Sequence, residues 1–449
     1  MTNDPPQEIP IRALALDKKR ELWYRKACDL LDETRLTNLL LALTDIHSPT
    51  GAEGELANYI TGVLRDSGFQ SHTQEMAPNR GNSIGRLKGT GEGASLLLYE
   101  PIDTHMEATE IEDLPWAGDK LRADMLPKGE LIDGLVVGLG ASNPKAMVAT
   151  MIEVGRCIQE AGLPLLGELV LGFAGGGMPW SNTKRGESGL SDGVTHMLRH
   201  GVSPDFAVVM KPWNAVYYEE AGLCWFRVLV KGTYGYAGIP HNTPGWDNSV
   251  VAASKVVLAL QEWLPDYVKK NTSGQIEPWG WISGIHGGWK DKPAFPTALT
   301  EILLDLRITP RTSPSEVCNQ FEEAIVSIRK KFPDIDLEWE MFGATSSGST
   351  DPENWIVQSA MRAWERVEEK PHGPSPLMAG QTDGATLRHL GVPTARLGWP
   401  WPYEEGPKEL SYGLGGMGVT YIPDLLVCAK KIIYVAIDTL TRTRNELGL

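Results

Sequence analysis

Residues 133–149 read DGLVVGLGASNPKAMVA. The apolar triplet Leu135–Val137 predicts a short buried strand. A Gly-rich bend follows. Asn143-Pro144 then predicts a helix start, with asparagine as N-cap and proline at the first helical position. The apolar run beyond it carries that helix to about Glu160. A strand that passes through glycines into a helix N-terminus is the βα step of an α/β layer.

The flanking sequence repeats the pattern. Upstream, apolar residues at helical spacing (Leu22, Leu30, Leu31, Leu39, Leu40, Leu43) predict two helices between Leu16 and Ile46. Ser48-Pro49-Thr50-Gly51 reads as a turn, and residues 52–67 as an amphipathic helix stopped by Gly68. Ser95–Tyr99, Leu169–Phe173 and Phe206–Met210 are apolar runs of strand length, so strands alternate with helices and the sheet is mostly parallel. After Tyr218 the pattern changes. Strands at Leu223–Lys231, Leu299–Ile308 and Leu337–Met341 alternate with helices at Asn248–Leu264 and Pro314–Phe332, which predicts a small α+β insertion. From about Phe342 the first pattern returns: a helix near Asn354–Glu368, a strand near Pro393–Leu397 and a last helix at Pro423–Thr441.

The chain has 449 residues, 42% hydrophobic and 22% charged, an ordinary globular composition too long for one core. A net charge of -15 disfavours nucleic acid and anionic membranes as partners. No apolar run approaches the length of a membrane span. Five scattered cysteines without a CxxC pair, and an N-terminus without a basic-then-apolar leader, lead us to expect reduced thiols and a cytoplasmic location.

Five stretches in order resemble the M20 family of metallopeptidases and aminoacylases. They are SPTGAEGELANYITGVLRDSGF, the DGLVVGLGASNPKAMVA stretch, VKGTYGYAGIP, LLDLRITP and GQTDGATLRHLGVPTARLG. The resemblance spans essentially the whole chain. It implies an α/β catalytic-type domain with a mixed, mostly parallel sheet flanked by helices, and a small α+β lid of the dimerisation type inserted in it. The boundaries expected are 1–217, 218–341 and 342–449, and the lid implies a homodimer. It also implies a hydrolase that uses two zinc ions and a glutamate base. Yet the family's ligand positions fall here on Pro101 (its H-x-D-T histidine), Asn143 (its bridging aspartate), Gly177 and Met178 (its glutamate pair), Lys211 and, near the C-terminus, about Gly416. The lid histidine that reaches a partner's site falls on Tyr236. Four lost negative charges and one gained positive charge nearly offset two absent zinc ions, so no metal and no cofactor are expected.

The candidate catalytic groups are therefore protein side chains. Lys211, beside Asp103, would pair with it in place of a metal, polarise a carbonyl, or fill the vacated hole as a structural ion pair. Ser142 and Lys145 form an S-x-x-K at the helix start, either a base-activated serine or inherited scaffold. Asp103 and His105 would share one side of an extended stretch, as an acid–base pair or, with Glu100 or Glu107, as a displaced metal site; the alternative is a loop histidine with a satisfied hydrogen bond. Asn143, Tyr236, Asp383, Trp399 and Trp401 are candidate substrate contacts; Gly398–Tyr403 would form a stiff aromatic wall, or pack internally. The helix start, with Lys145 and Lys211, favours an anion. The expected function is metal-independent cleavage of an amide, ureido or N-acyl C–N bond in a small carboxylate-bearing substrate. The alternatives are a non-catalytic binding protein, or a metalloenzyme with relocated ligands near Asp103 and His105.

Overall fold

A computed structural model describes residues 15–180, 182–186, 188–238, 245–400 and 417–449. They fall into two compact units: one of 219–349 with 376–381, the other of the remaining chain.

The larger unit is built on a six-stranded sheet. In spatial order its strands are Gln70–Ala77, Arg80–Leu87, Leu169–Ala174, Leu96–Pro101, Phe206–Met210 and Thr394–Leu397. The last four run parallel; Arg80–Leu87 joins Leu169–Ala174 antiparallel, and Gln70–Ala77 pairs with Arg80–Leu87 as a hairpin. The parallel strands are buried from end to end. That is why they read as continuous apolar runs: both sheet faces are covered.

Alternation sorts their side chains. Leu96, Leu98, Leu169, Leu171, Phe206 and Val208 enter the core beneath helices Glu33–Asp45, Lys145–Glu160, Trp355–Glu368 and Ile422–Leu440. Leu97, Tyr99, Val170, Ala207 and Val209 point the other way, onto Val194, Met197 and Leu387 from helices Asp192–Arg199 and Asp383–His389.

The smaller unit is a four-stranded antiparallel sheet in the order Gly280–Gly287, Leu299–Ile308, Gly222–Lys231, Leu337–Thr345. Cys224, Phe226, Val228 and Val230 alternate inward with Ile302, Leu304 and Leu306, against helices Ser249–Asn271 and Pro314–Lys331. Ser313 and Glu316 form a capping box at the start of the latter helix.

One reading of the opening stretch is corrected. The helix begins at Lys145, its N-cap is Pro144, and no side chain caps it. Asn143 is outside the helix, so its amide is free to bond elsewhere.

Two helices of the large unit are tied together by a buried carboxylate. Asp438 accepts from Ser359 at 2.8 Å and Arg362 at 2.6 Å through one oxygen, and from Arg442 at 2.9 Å through the other. Removing it strands the buried Arg362 guanidinium and leaves Arg442 only Glu446 as an ionic partner, so Asp438→Ala should destabilise the protein by about 3–5 kcal/mol, read from urea denaturation.

Candidate functional site

The four parallel strands end at one edge of the sheet, where α/β proteins bind ligands. There they deliver Pro101-Ile102-Asp103, Gly175–Met178, Lys211 and Gly398-Trp399. Because side chains alternate, Glu100 sits on the face covered by helix Lys145–Glu160, while Tyr99 sits on the face of helix Asp383–His389.

On the first face Lys211 Nζ donates to Glu100 Oε2 at 2.9 Å and to Asn143 Oδ1 at 3.4 Å, and touches Met147 Sδ at 3.6 Å. Glu100 is fully buried and also accepts from the Met210 amide. Burial pushes its carboxyl up to about 7, against the pull of the Lys211 ammonium. The expected partner of Lys211 was Asp103; the structure gives it Glu100, one strand position before Pro101. An acid inside the apolar run LLLYEP was the available signal, since a buried carboxyl requires a partner.

Asp103 is committed elsewhere. Its oxygens accept from the Gly177 amide at 2.8 Å, the Met178 amide at 3.0 Å and the Thr50 hydroxyl at 2.7 Å. The expected Asp103–His105 pair does not form. His105 is half-buried with its ring edge-to-face on Trp116, centroids 6.0 Å apart, and burial pushes its pKa down. Glu107 binds Arg185 at 2.8 and 2.6 Å. Asp103, His105 and Glu107 therefore do not converge as relocated metal ligands.

On the second face Asp383 accepts from the Tyr99 hydroxyl at 2.5 Å through Oδ2, and the Ser191 hydroxyl lies against the same carboxyl, whose Oδ1 is buried. Burial raises its carboxyl to about 7. Nearby, Glu53 is also raised to about 7, first by burial and then by the charge of Asp103. Neither Tyr99 nor Glu53 was identified from sequence; nothing about a tyrosine in an apolar strand marks it as polar-paired.

The other candidates separate. Lys145 is fully buried and donates to the Ile46 carbonyl at 2.7 Å, not to Ser142, whose buried hydroxyl lacks a partner among the described residues. Burial lowers the Lys145 ammonium to about 7, so it is not a free cation for an anionic substrate. Trp399 is wholly buried in the main core and lines no aromatic wall; Trp401 lies outside the described residues. Tyr236 is an exposed residue of the smaller unit, 5.8 Å from the ring of Phe295.

Two zinc ions need carboxylate or imidazole donors with free lone pairs. Pro101 and Gly177 offer none, and the Asn143 amide oxygen is taken by Lys211. A Cβ on Gly177 would lie 2.4 Å from Pro101 Cβ and 2.6 Å from Asp383 Oδ2, so the family's glutamate has no room there. Among the described residues no group of three or more His, Cys, Asp or Glu could hold an ion. The residues present do not fit the metal pair.

No family model matches the chain. It is 28% identical over 182 residues to an N-formyl-4-amino-5-aminomethyl-2-methylpyrimidine deformylase from Bacillus subtilis, a match covering 40% of this chain and 38% of that protein. Among solved structures, human carnosine dipeptidase 1 superposes with a TM-score of 0.66 at 14% identity, covering 96% of this chain and all of that one. An M20 family metallo-carboxypeptidase from Sulfolobus solfataricus gives 0.61 at 13% identity, covering 90% and 98%. The fold is that of the M20 peptidases.

The raised Asp383 carboxyl makes stability depend on pH. The folded protein holds this proton to about pH 7, whereas the unfolded chain releases it near 3.8. The folded state binds more protons in that window, so this contribution is full below the lower value and is lost as pH rises through the upper one. Asp383→Asn lacks the titration and keeps an acceptor for Tyr99. Its stability should improve relative to the unsubstituted protein between about pH 4 and pH 7 and change little above, by urea denaturation at each pH.

Proposed function

We propose that this chain hydrolyses a C–N bond in a small formamide, N-acyl or ureido compound, using protein groups at the positions where the M20 fold carries metal. The observation that carries the proposal is the pairing of opposite chemistries at one sheet edge. Lys211 supplies an ammonium, and Asp383 supplies a carboxyl that changes protonation near neutral pH and has one oxygen not engaged by Tyr99. The deformylase, dipeptidase and carboxypeptidase relatives are all named for C–N cleavage, which supports the reaction class.

The division of labour follows from the contacts. Of the three Lys211 protons, one goes to Glu100 and one to Asn143, while the third meets only the weak acceptor Met147 Sδ. That proton can turn to a substrate carbonyl oxygen at little cost and stabilise the oxyanion as it forms. Water attacks the carbonyl carbon, its proton passes to Asp383 Oδ1, and the same proton is returned to the departing nitrogen. Tyr99 holds Asp383 in place through the other oxygen. Lys145, bound to the Ile46 carbonyl, is not free to receive a substrate carboxylate.

A second reading, ligand binding without turnover, draws on Gly177: no base fits at the position where the family keeps one. A panel of N-formyl amines, N-carbamoyl amino acids and dipeptides, assayed for released amine with and without chelator, separates the readings. Turnover should survive the chelator. The double variant Lys211→Met/Glu100→Gln, which removes both charges and strands neither, should fold yet lose about a hundredfold or more in rate. No turnover of any compound would favour the binding reading. Turnover abolished by chelator and restored by zinc would overturn the proposal.

A further inference from the structure

A second feature of the large unit has no part in the reaction just described. Beside the site, a cavity of about 220 Å³ opens among His105, Met106, Trp116, Met125 and the Arg122–Asp124 pair. It adjoins the candidate site through the backbone: Met417, which also lines it, accepts hydrogen bonds from the Ser142 and Asn143 amides, and His105 lies two residues past Asp103.

We infer that this cavity is a specificity pocket for one flat, uncharged aromatic or heteroaromatic ring carried by the substrate. The inference rests on the hydrolase reading for its setting, and on the cavity walls for its content. Size comes first. An apolar cavity of about 150 Å³ takes a benzene molecule, so this space of about 220 Å³ has room for a six-membered ring with small substituents. Wall chemistry comes second. Buried Met106 and Met125 present polarisable thioethers, and thioether sulfur packs favourably against ring edges. Trp116 adds an aromatic surface already edge-to-face with His105, its indole N–H held by the Glu112 carbonyl at 3.1 Å. The polar groups come third. Arg122 grips Asp124 through a two-bond fork, both contacts at 3.0 Å, so neither charge needs an ionic ligand. The ring nitrogens of His105 have no hydrogen-bond partner among the described residues and offer one donor and one acceptor in the neutral form. That set fits ring nitrogens or amino substituents better than a carboxylate or an ammonium. His105 thus becomes a specificity residue rather than a member of an acid–base pair.

The test uses two matched pairs that differ only in the ring: N-formylbenzylamine against N-formylbutylamine, and N-benzoylglycine against N-butanoylglycine. They place the ring on either side of the scissile bond. Binding to the full chain is measured by calorimetry and amine release is followed in parallel. At least one ring-bearing member should bind about tenfold tighter than its partner. Met125→Trp and Ala117→Leu, each adding bulk to a residue that lines the cavity, should each erase that preference; the second keeps the test open where the first fails to fold. Equal binding within both pairs, or a preference that survives both substitutions, would overturn the pocket. Ring preference without turnover contradicts only the hydrolase reading. Turnover without ring preference contradicts only the pocket.

Discussion

A lysine ammonium closed into the edge of a parallel sheet has to bring its counter-ion with it. Moving either charge from water into that environment costs several kcal/mol, and only a close, hydrogen-bonded partner offsets it. Lys211, the first residue beyond the strand Phe206–Met210, meets Glu100 of the adjacent parallel strand at 2.9 Å. Asn143 takes the next lysine proton, which explains why a neutral amide suits the position where the family holds a bridging carboxylate. Once this pair is in place, the neighbouring positions follow. A second cation would be repelled, and Asp103, one of the other acids at the edge, is satisfied by backbone amides and a hydroxyl.

The edge divides into two half-sites because the sheet does. Residues of alternate parity on one strand feed opposite faces, so Glu100 serves the lysine and Tyr99 the aspartate. The Gly177 backbone closes the gap between them: its amide holds Asp103, and a side chain there would collide with both Pro101 and Asp383. The cavity beyond His105 adds apolar and thioether walls beside the Arg122–Asp124 pair.

Most of the architecture was legible because burial on both faces leaves unbroken apolar runs. Leu169–Phe173, Phe206–Met210 and Leu299–Ile308 in the sequence match strands in the fold. The elements missed lacked that imprint. Gln70–Ala77 is an outer hairpin strand with little to bury, and Gly280–Gly287 is an edge strand of the smaller unit carrying three glycines. At the site, position was legible and partnership was not. Sequence marked Lys211, Asp103, Asn143 and Asp383, but contacts depend on strand register and side-chain parity, so it joined Lys211 to Asp103 and Asp103 to His105. Trp399 misled for a related reason: an aromatic between glycine and proline reads as loop, yet it packs into the core where the last parallel strand ends.

The account turns on whether the Lys211–Glu100 pair occupies the place of a metal. The most direct measurement is elemental analysis of protein produced in zinc-supplemented medium, together with anomalous diffraction at the zinc edge from its crystals. The account predicts no stoichiometric zinc and no anomalous peak near Asp103, Asn143 or Lys211. Two ions per chain bound among those residues would contradict it.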